Sequence, residues 1–178
     1  SKSGVSMNIN TTYTKIITGE DLMETAQHGS TLYPFQFYYE DLSVFDFNCI
    51  EWHWHTELEF IYIESGTVTL WIGEYQFHLT EGNGIFINTK VLHRLYSPSK
   101  ALIPNFVFMP SFIAPCDSLI YQKYILPIIS SSLPFLVFHK KVCWQAKVLS
   151  IMRQIISAQD SVLSKELLTS SLLVLFLV

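Results

Sequence analysis

Cationic residues are scarce in this chain, and so are cysteines and long apolar runs. Lys and Arg number 11 among 178 residues against 15 Asp and Glu, a formal net charge of -4. Phosphate contacts need clustered Lys and Arg, so this segment is not built to grip nucleic acid by itself. Cys49, Cys116 and Cys143 are an odd number with no C-x-x-C spacing. That excludes a disulfide framework and reads as reduced intracellular thiols. The longest apolar run, Leu172 to Val178, is far short of the roughly 20 residues that span a membrane. The opening Ser-Lys-Ser-Gly-Val-Ser is polar and not a secretory signal. It reads as an expression scar ahead of a native start at Met7. Gly-rich phosphate loops, a nucleophile elbow and a Ser-His-Asp arrangement are missing too. The expectation is a cytoplasmic protein with no membrane partner.

What the chain does have is apolar and aromatic mass. Hydrophobic residues make up 49% and aromatics 15%, enough for a substantial core and favourable to strands. A mostly polar arm covers residues 1–30, in which Glu20 to Glu24 begins one short helix that Gly29 would end. Tyr33, Phe35, Phe37 and Tyr39 then alternate with other residues, which gives one wholly aromatic strand face. Such a stripe serves either as core or as a stacking wall for a sugar or aromatic ligand. From Ile50 to Ser97 short strands follow closely, broken at Ser65-Gly66, at Gly73-Glu74 and at Glu81-Gly82-Asn83-Gly84. Gly73-Glu74 fits a two-residue type II′ hairpin turn. Many short strands with glycine turns indicate a sandwich or barrel, placed here at residues 31–112.

Residues 113–178 differ. After a linker and an extended segment near Phe135 to Phe138, the apolar period becomes helical. Trp144, Val148, Ile151 and Ile155 form one stripe with Met152 beside it. Leu163, Leu167 and Val174 form another, flanked by Leu168, Leu172 and Leu175. The second helix has no stop signal and is apolar all round, so the chain is expected to be cut in mid-architecture. Its leucine excess suits a self-complementary two-fold contact, a homodimer made through the C-terminal helices.

The chemistry concentrates in His53-Trp54-His55-Thr56-Glu57-Leu58-Glu59. Residues two apart on a strand share a face, so His53 and His55 project together and Trp52 and Trp54 oppose them. Glu59 keeps the parity, and His93 on a later strand supplies a fourth donor. Imidazole with carboxylate suits a divalent transition metal, Zn, Ni, Fe or Mn. Glu57 reads as a solvated rim carboxylate. Cys49, of the same odd parity, either reaches the pocket or is a buried inert thiol. His28, His78 and His139 have no partner at ligand spacing.

His53, His55, Glu59 and Gly66 resemble the first cupin motif, and Gly82 and His93 match the second. Phe47 stands where the glycine preceding the first motif belongs. Asn88, Lys90 and Ser97 replace the second motif's proline, second glycine and asparagine. The wording from Trp52 to Ser97, and Lys123 to Ile128 with the paired helices, is similar to the sensor domain of AraC-family transcription regulators. The resemblance implies a mainly β fold, a double-stranded β-helix or jelly-roll barrel up to about Met109 followed by helices. It implies that a small effector binds inside the barrel, with His53, His55, Glu59 and His93 as polar anchors and Phe37 and Tyr39 as apolar wall. DNA would be reached only through a helix-turn-helix domain absent from this chain, and no residue is catalytic. The rival is a stand-alone metal-dependent cupin enzyme, a dioxygenase or isomerase, using the same four residues as metal ligands.

Overall fold

Among the described residues, period-two patterning builds nine short strands that form two facing antiparallel sheets. The computed structural model describes residues 7–178, so the expected scar at residues 1–6 lies outside the described residues. The strands are β1 (Phe35–Tyr38), β2 (Cys49–His53), β3 (Leu58–Tyr62), β4 (Thr67–Ile72), β5 (Tyr75–Thr80), β6 (Gly84–Ile87), β7 (His93–Tyr96), β8 (Asn105–Phe108) and β9 (Phe135–Phe138). The larger sheet runs β1-β8-β3-β6-β9 and the smaller β2-β7-β4-β5. This is the cupin barrel. Ile72 pairs with Tyr75 across a two-residue turn, and Gly73 there has φ 55° while Glu74 keeps a negative φ. That is the dihedral pattern of a type II′ turn.

β3, β6 and β9 of the larger sheet divide their side chains between two cores. Ile61, Ile63, Ile85 and Ile87 fill the space between the sheets together with Leu70, Ile72, Leu79 and Leu95. Leu58, Phe60, Phe86, Phe106 and Phe108 point the other way, into a second core under the helices. Phe60 lies at the centre of a stack that includes Phe106, Phe108, Phe138 and Phe176. The aromatic stripe of β1 joins that outer core: Phe35 is buried there, with Tyr33 and Phe37 packed against it.

The helices are α1 (Leu126–Ile129), which continues a π-helical turn at Tyr121–Ile125, α2 (Cys143–Ala158) and α3 (Lys165–Leu175). α2 buries Leu149, Met152, Ile155 and Ile156. The phase expected from Trp144 and Val148 is therefore rotated, and Trp144 is 56% exposed. α2 is apolar on more than one side, so its sequence alone underdetermines the buried stripe. It can approach the sheet closely because position 84 is glycine. A Cβ there would lie 3.0 Å from the Leu149 and Met152 side chains and from the Ile61 carbonyl. α3 starts too late to include Leu163 and buries Thr169 and Leu173. Leu167, at 74% exposure, faces outward.

Two expectations change. The sheet extends beyond residue 112, because β9 pairs with β6 along its length. Residues 20–24 form no helix. Leu22 takes a left-handed φ of 67°, and Met23 and Glu24 run beside Trp54, with Trp54 N–H donating to Leu22 O at 3.1 Å and Glu24 N–H to Trp54 O at 2.9 Å. Backbone pairing with the end of β2 satisfies these groups better than an isolated helical turn, which is costly to nucleate. Gly29, expected to stop that helix, has φ 75°, but no helix precedes it among the described residues. Among the described residues no helix is long and apolar enough to cross a membrane.

Candidate functional site

At one end of the barrel the inward-facing positions change from aliphatic to ionisable. His53 ends β2, His55 follows in the next turn, Glu59 shares the inward face of β3 with Ile61, and His93 opens β7. One ligand atom from each of the four lies within 4.8 Å of the others. All four residues are buried. His53 and His93 are direct cross-strand partners, with ring centroids 4.2 Å apart.

The register that makes them partners comes from a bulge. Ile50 pairs with Leu95 and His53 with His93, so three steps on β2 match two on β7. This extra residue reverses the parity upstream. Ile50, not Cys49, lines the cavity with His53. Cys49 is buried beside Glu51, to whose carboxylate its thiol donates at 3.3 Å. Burial, reinforced by Glu51, pushes that thiol up to about 11.

The imidazoles are held from behind. His53 Nδ1–H donates to Glu51 O at 2.8 Å, His55 Nδ1–H to Glu57 O at 3.1 Å and His93 Nδ1–H to Val91 O at 2.8 Å. A carbonyl only accepts, so each Nδ1 carries the proton and each neutral ring presents the Nε2 lone pair. Glu59 Oε2 is 3.1 Å from both His55 Nε2 and His93 Nε2. A carboxylate against a bare imidazole lone pair sets two acceptors in contact. The geometry therefore demands positive charge, either protons on the rings or a metal ion between the four groups.

The protonation energetics agree. Burial pulls His55 down, but its hydrogen bond to Glu59 and the charges of Glu59, Glu24 and Glu57 outweigh this and leave it up at about 9. His53, which makes no such contact with Glu59, is driven down to about 3 by burial and by the neighbouring His93. Burial opposes ionisation of Glu59, yet the hydrogen bonds from His55 and His93 hold it well below the usual carboxylate range.

Further polar side chains share the cavity, among them His28, expected to have no partner. His28, from the arm, is buried; its ring centroid is 5.7 Å from that of His55. Its Nδ1 lies 2.6 Å from the Tyr38 hydroxyl and its Nε2 2.9 Å from Glu24 Oε2. Glu40 accepts a 2.7 Å bond from Asn105 Nδ2 on one carboxyl oxygen, while the other has no partner. Burial raises Glu40 to about 8 despite the Asn105 bond. Glu24 and His28 stand four residues apart, but nothing local ties them to residues 53–59. Tyr38 and Glu40 have the parity opposite to the aromatic stripe.

Phe37 and Tyr39 are consequently not on the cavity wall. Phe37 packs under the helices, and the Tyr39 hydroxyl donates to Glu64. Alternation fixed two faces of β1, and the aromatic one turned outward because the helical layer also buries aromatics. Glu57 is only partly buried and its carboxylate lies 3.7 Å from His55 Nδ1. His78 is on exposed β5, bonded to Thr69 at 2.9 Å. Trp54 turns from the histidines and donates from Nε1 to Asp21 O at 2.8 Å. The space enclosed among the inward residues is about 30 Å³, room for a water molecule or an ion.

Two departures from motif glycines keep the backbone that glycine would favour. Phe47 has φ 58° and Lys90 φ 61°. The turns are thus formed with strained residues in place of permissive ones.

Comparison with known proteins supports the architecture. Residues 49–103 match the family model described as Cupin domain. The chain is 24% identical over 143 residues to the uncharacterized HTH-type transcriptional regulator YdeC of Bacillus subtilis strain 168, covering 78% of this chain and 48% of that protein. It thus spans about half the length of the curated relative it matches. ToxT from Vibrio cholerae O395, in a crystal structure bound to (E)-4-(8-methylnaphthalen-1-yl)but-3-enoic acid, superposes with a TM-score of 0.55 and 13% identity. That match covers 80% of this chain and 55% of ToxT. The chain is therefore a cupin-barrel protein with a distant relative among HTH-type transcriptional regulators.

Proposed function

We propose that this chain is the effector-sensing and dimerisation portion of a cytoplasmic AraC-type transcription regulator. The observation that carries the reading is the convergence of His53, His55, Glu59 and His93 inside the barrel. The regulator likeness, which runs through 78% of the chain, supplies the context. A bound effector shifts a regulator only if it binds two arrangements with different affinity. The exposed Leu167, Leu168 and Leu175 of α3 supply the apolar face for a two-fold dimer. DNA contact belongs to a helix-turn-helix domain outside this chain.

The donor set fits a divalent transition metal such as Zn, Ni, Fe or Mn, with His53, His55 and His93 offering Nε2 and Glu59 a carboxylate oxygen. A bound ion supplies the positive charge that the Nε2–carboxylate contacts require. A metal-dependent cupin enzyme, a dioxygenase or isomerase, is the second reading, favoured by the three carbonyl-fixed imidazoles. ToxT was crystallised with an organic acid. This cavity is lined by Glu24, Glu40 and Glu59 with no Lys or Arg, which suits an anion poorly.

The test is transcription from the target promoter of the full-length protein. His55→Ala and His93→Ala proteins that fold and bind DNA but no longer respond to effector support the sensor reading; an unchanged response overturns it. Metal-dependent turnover by the chain, lost in the same variants, transfers the site to the enzyme reading.

A further inference from the structure

We propose that the effector read by this barrel is itself a divalent metal ion, and that the N-terminal arm responds to it through Glu24 and His28. The inference rests on the sensor reading above. Three features carry it, beginning with the charge of the lining. Glu24, Glu40 and Glu59 are all buried around one small space with three histidines, His28, His53 and His55, and no Lys or Arg. Three buried carboxylates favour a cation, and one divalent ion can offset several of them at once. Size is the second. About 30 Å³ accommodates an ion, whereas an organic effector would need the barrel to reopen.

The third is the way the arm is attached. Trp54 lies between the donors His53 and His55, and its backbone N–H and C=O are both engaged by the arm, at Leu22 and Glu24. Its indole N–H is engaged by Asp21. On the cavity side His28 packs edge-to-face on His55 and is pinned by Glu24 and Tyr38. Fixing His53 and His55 on an ion therefore fixes the backbone to which residues 21–24 are paired. Residues at this remove from an ion orient the ligands, and their loss typically weakens binding 10–100-fold.

Co²⁺ is the probe, because its visible absorption reports ligand number and type. The chain is titrated with Co²⁺ while hydrogen exchange is followed at residues 17–28. The expected result is one ion per chain, slowed exchange in the arm, and about 10-fold weaker Co²⁺ binding in Glu24→Gln and His28→Gln. In both variants the slowing of arm exchange is lost. Gln is near-isosteric with Glu, so the first variant keeps the fold if the second does not. Failure to bind Co²⁺, or binding that leaves arm exchange and both variants' affinities unchanged, overturns the inference. Either failure leaves the sensor reading intact, since that stands or falls on the promoter response of the full-length protein.

Discussion

The metal-free chain is expected to be most stable in mild acid and to lose stability steeply between pH 6.5 and 8. Two buried groups set this slope. His55 titrates near 6.5 when unfolded and near 9 when folded, so its stabilising effect is complete below 6.5 and is lost as pH rises through 9. Glu40 titrates near 4.5 unfolded and near 8 folded, so its neutral form favours the fold below 4.5 and that advantage drains away up to pH 8. From 6.5 to 8 the native state thus holds two protons that the unfolded state has released. Each is worth about 1.4 kcal/mol per pH unit, giving a fall of about 4 kcal/mol over the interval. Between 4.5 and 6.5 the curve is flat, because His53, depressed to about 3, opposes Glu40 with one proton of the other sign. Below 4.5 stability falls as His53 and Glu59 resist protonation in the fold. Urea unfolding at half-unit pH steps in EDTA measures the profile. Glu40→Gln should halve the slope above 6.5. A flat or rising curve from 6.5 to 8, or an undiminished slope in Glu40→Gln, refutes the assignment of these protons.

Three further outcomes follow from single positions. Phe47 is 93% exposed at φ 58°, so Phe47→Gly should be about 1 kcal/mol more stable than Phe47→Ala, which keeps the left-handed strain; equal urea midpoints would contradict this. Phe60→Ala, removing the centre of the outer aromatic stack, should cost about 3–5 kcal/mol in the same assay. Leu167→Glu, on the 74%-exposed outer face of α3, should leave the unfolding free energy within about 0.5 kcal/mol while raising the dimer dissociation constant in sedimentation at least 10-fold.

How far the sequence discloses this site depends on whether a residue's direction is set locally. His53 and His55, two apart, could be paired from alternation alone, and Glu59 with Ile61 likewise, because strand parity needs no knowledge of the rest of the chain. The two-residue turn at Gly73 was legible for the same reason. Cys49 shows where parity fails: the bulge between Ile50 and His53 is imposed by pairing with β7, and no residue in 49–53 announces it. In β1, alternation separates Phe37 and Tyr39 from Tyr38 and Glu40 but does not say which pair faces inward. Two apolar layers compete for the aromatic face, and the helical layer took it. The phase of α2 was lost similarly, since Leu149 and Met152 are no more apolar than Val148 and Ile151. The arm is the extreme case. Glu24 and His28 carry no period, and what brings them to His55 is backbone pairing with Trp54 and the Tyr38 hydroxyl. The part of the site that local rules expose is thus its four-residue inner set, and the part they conceal is the arm that closes over it.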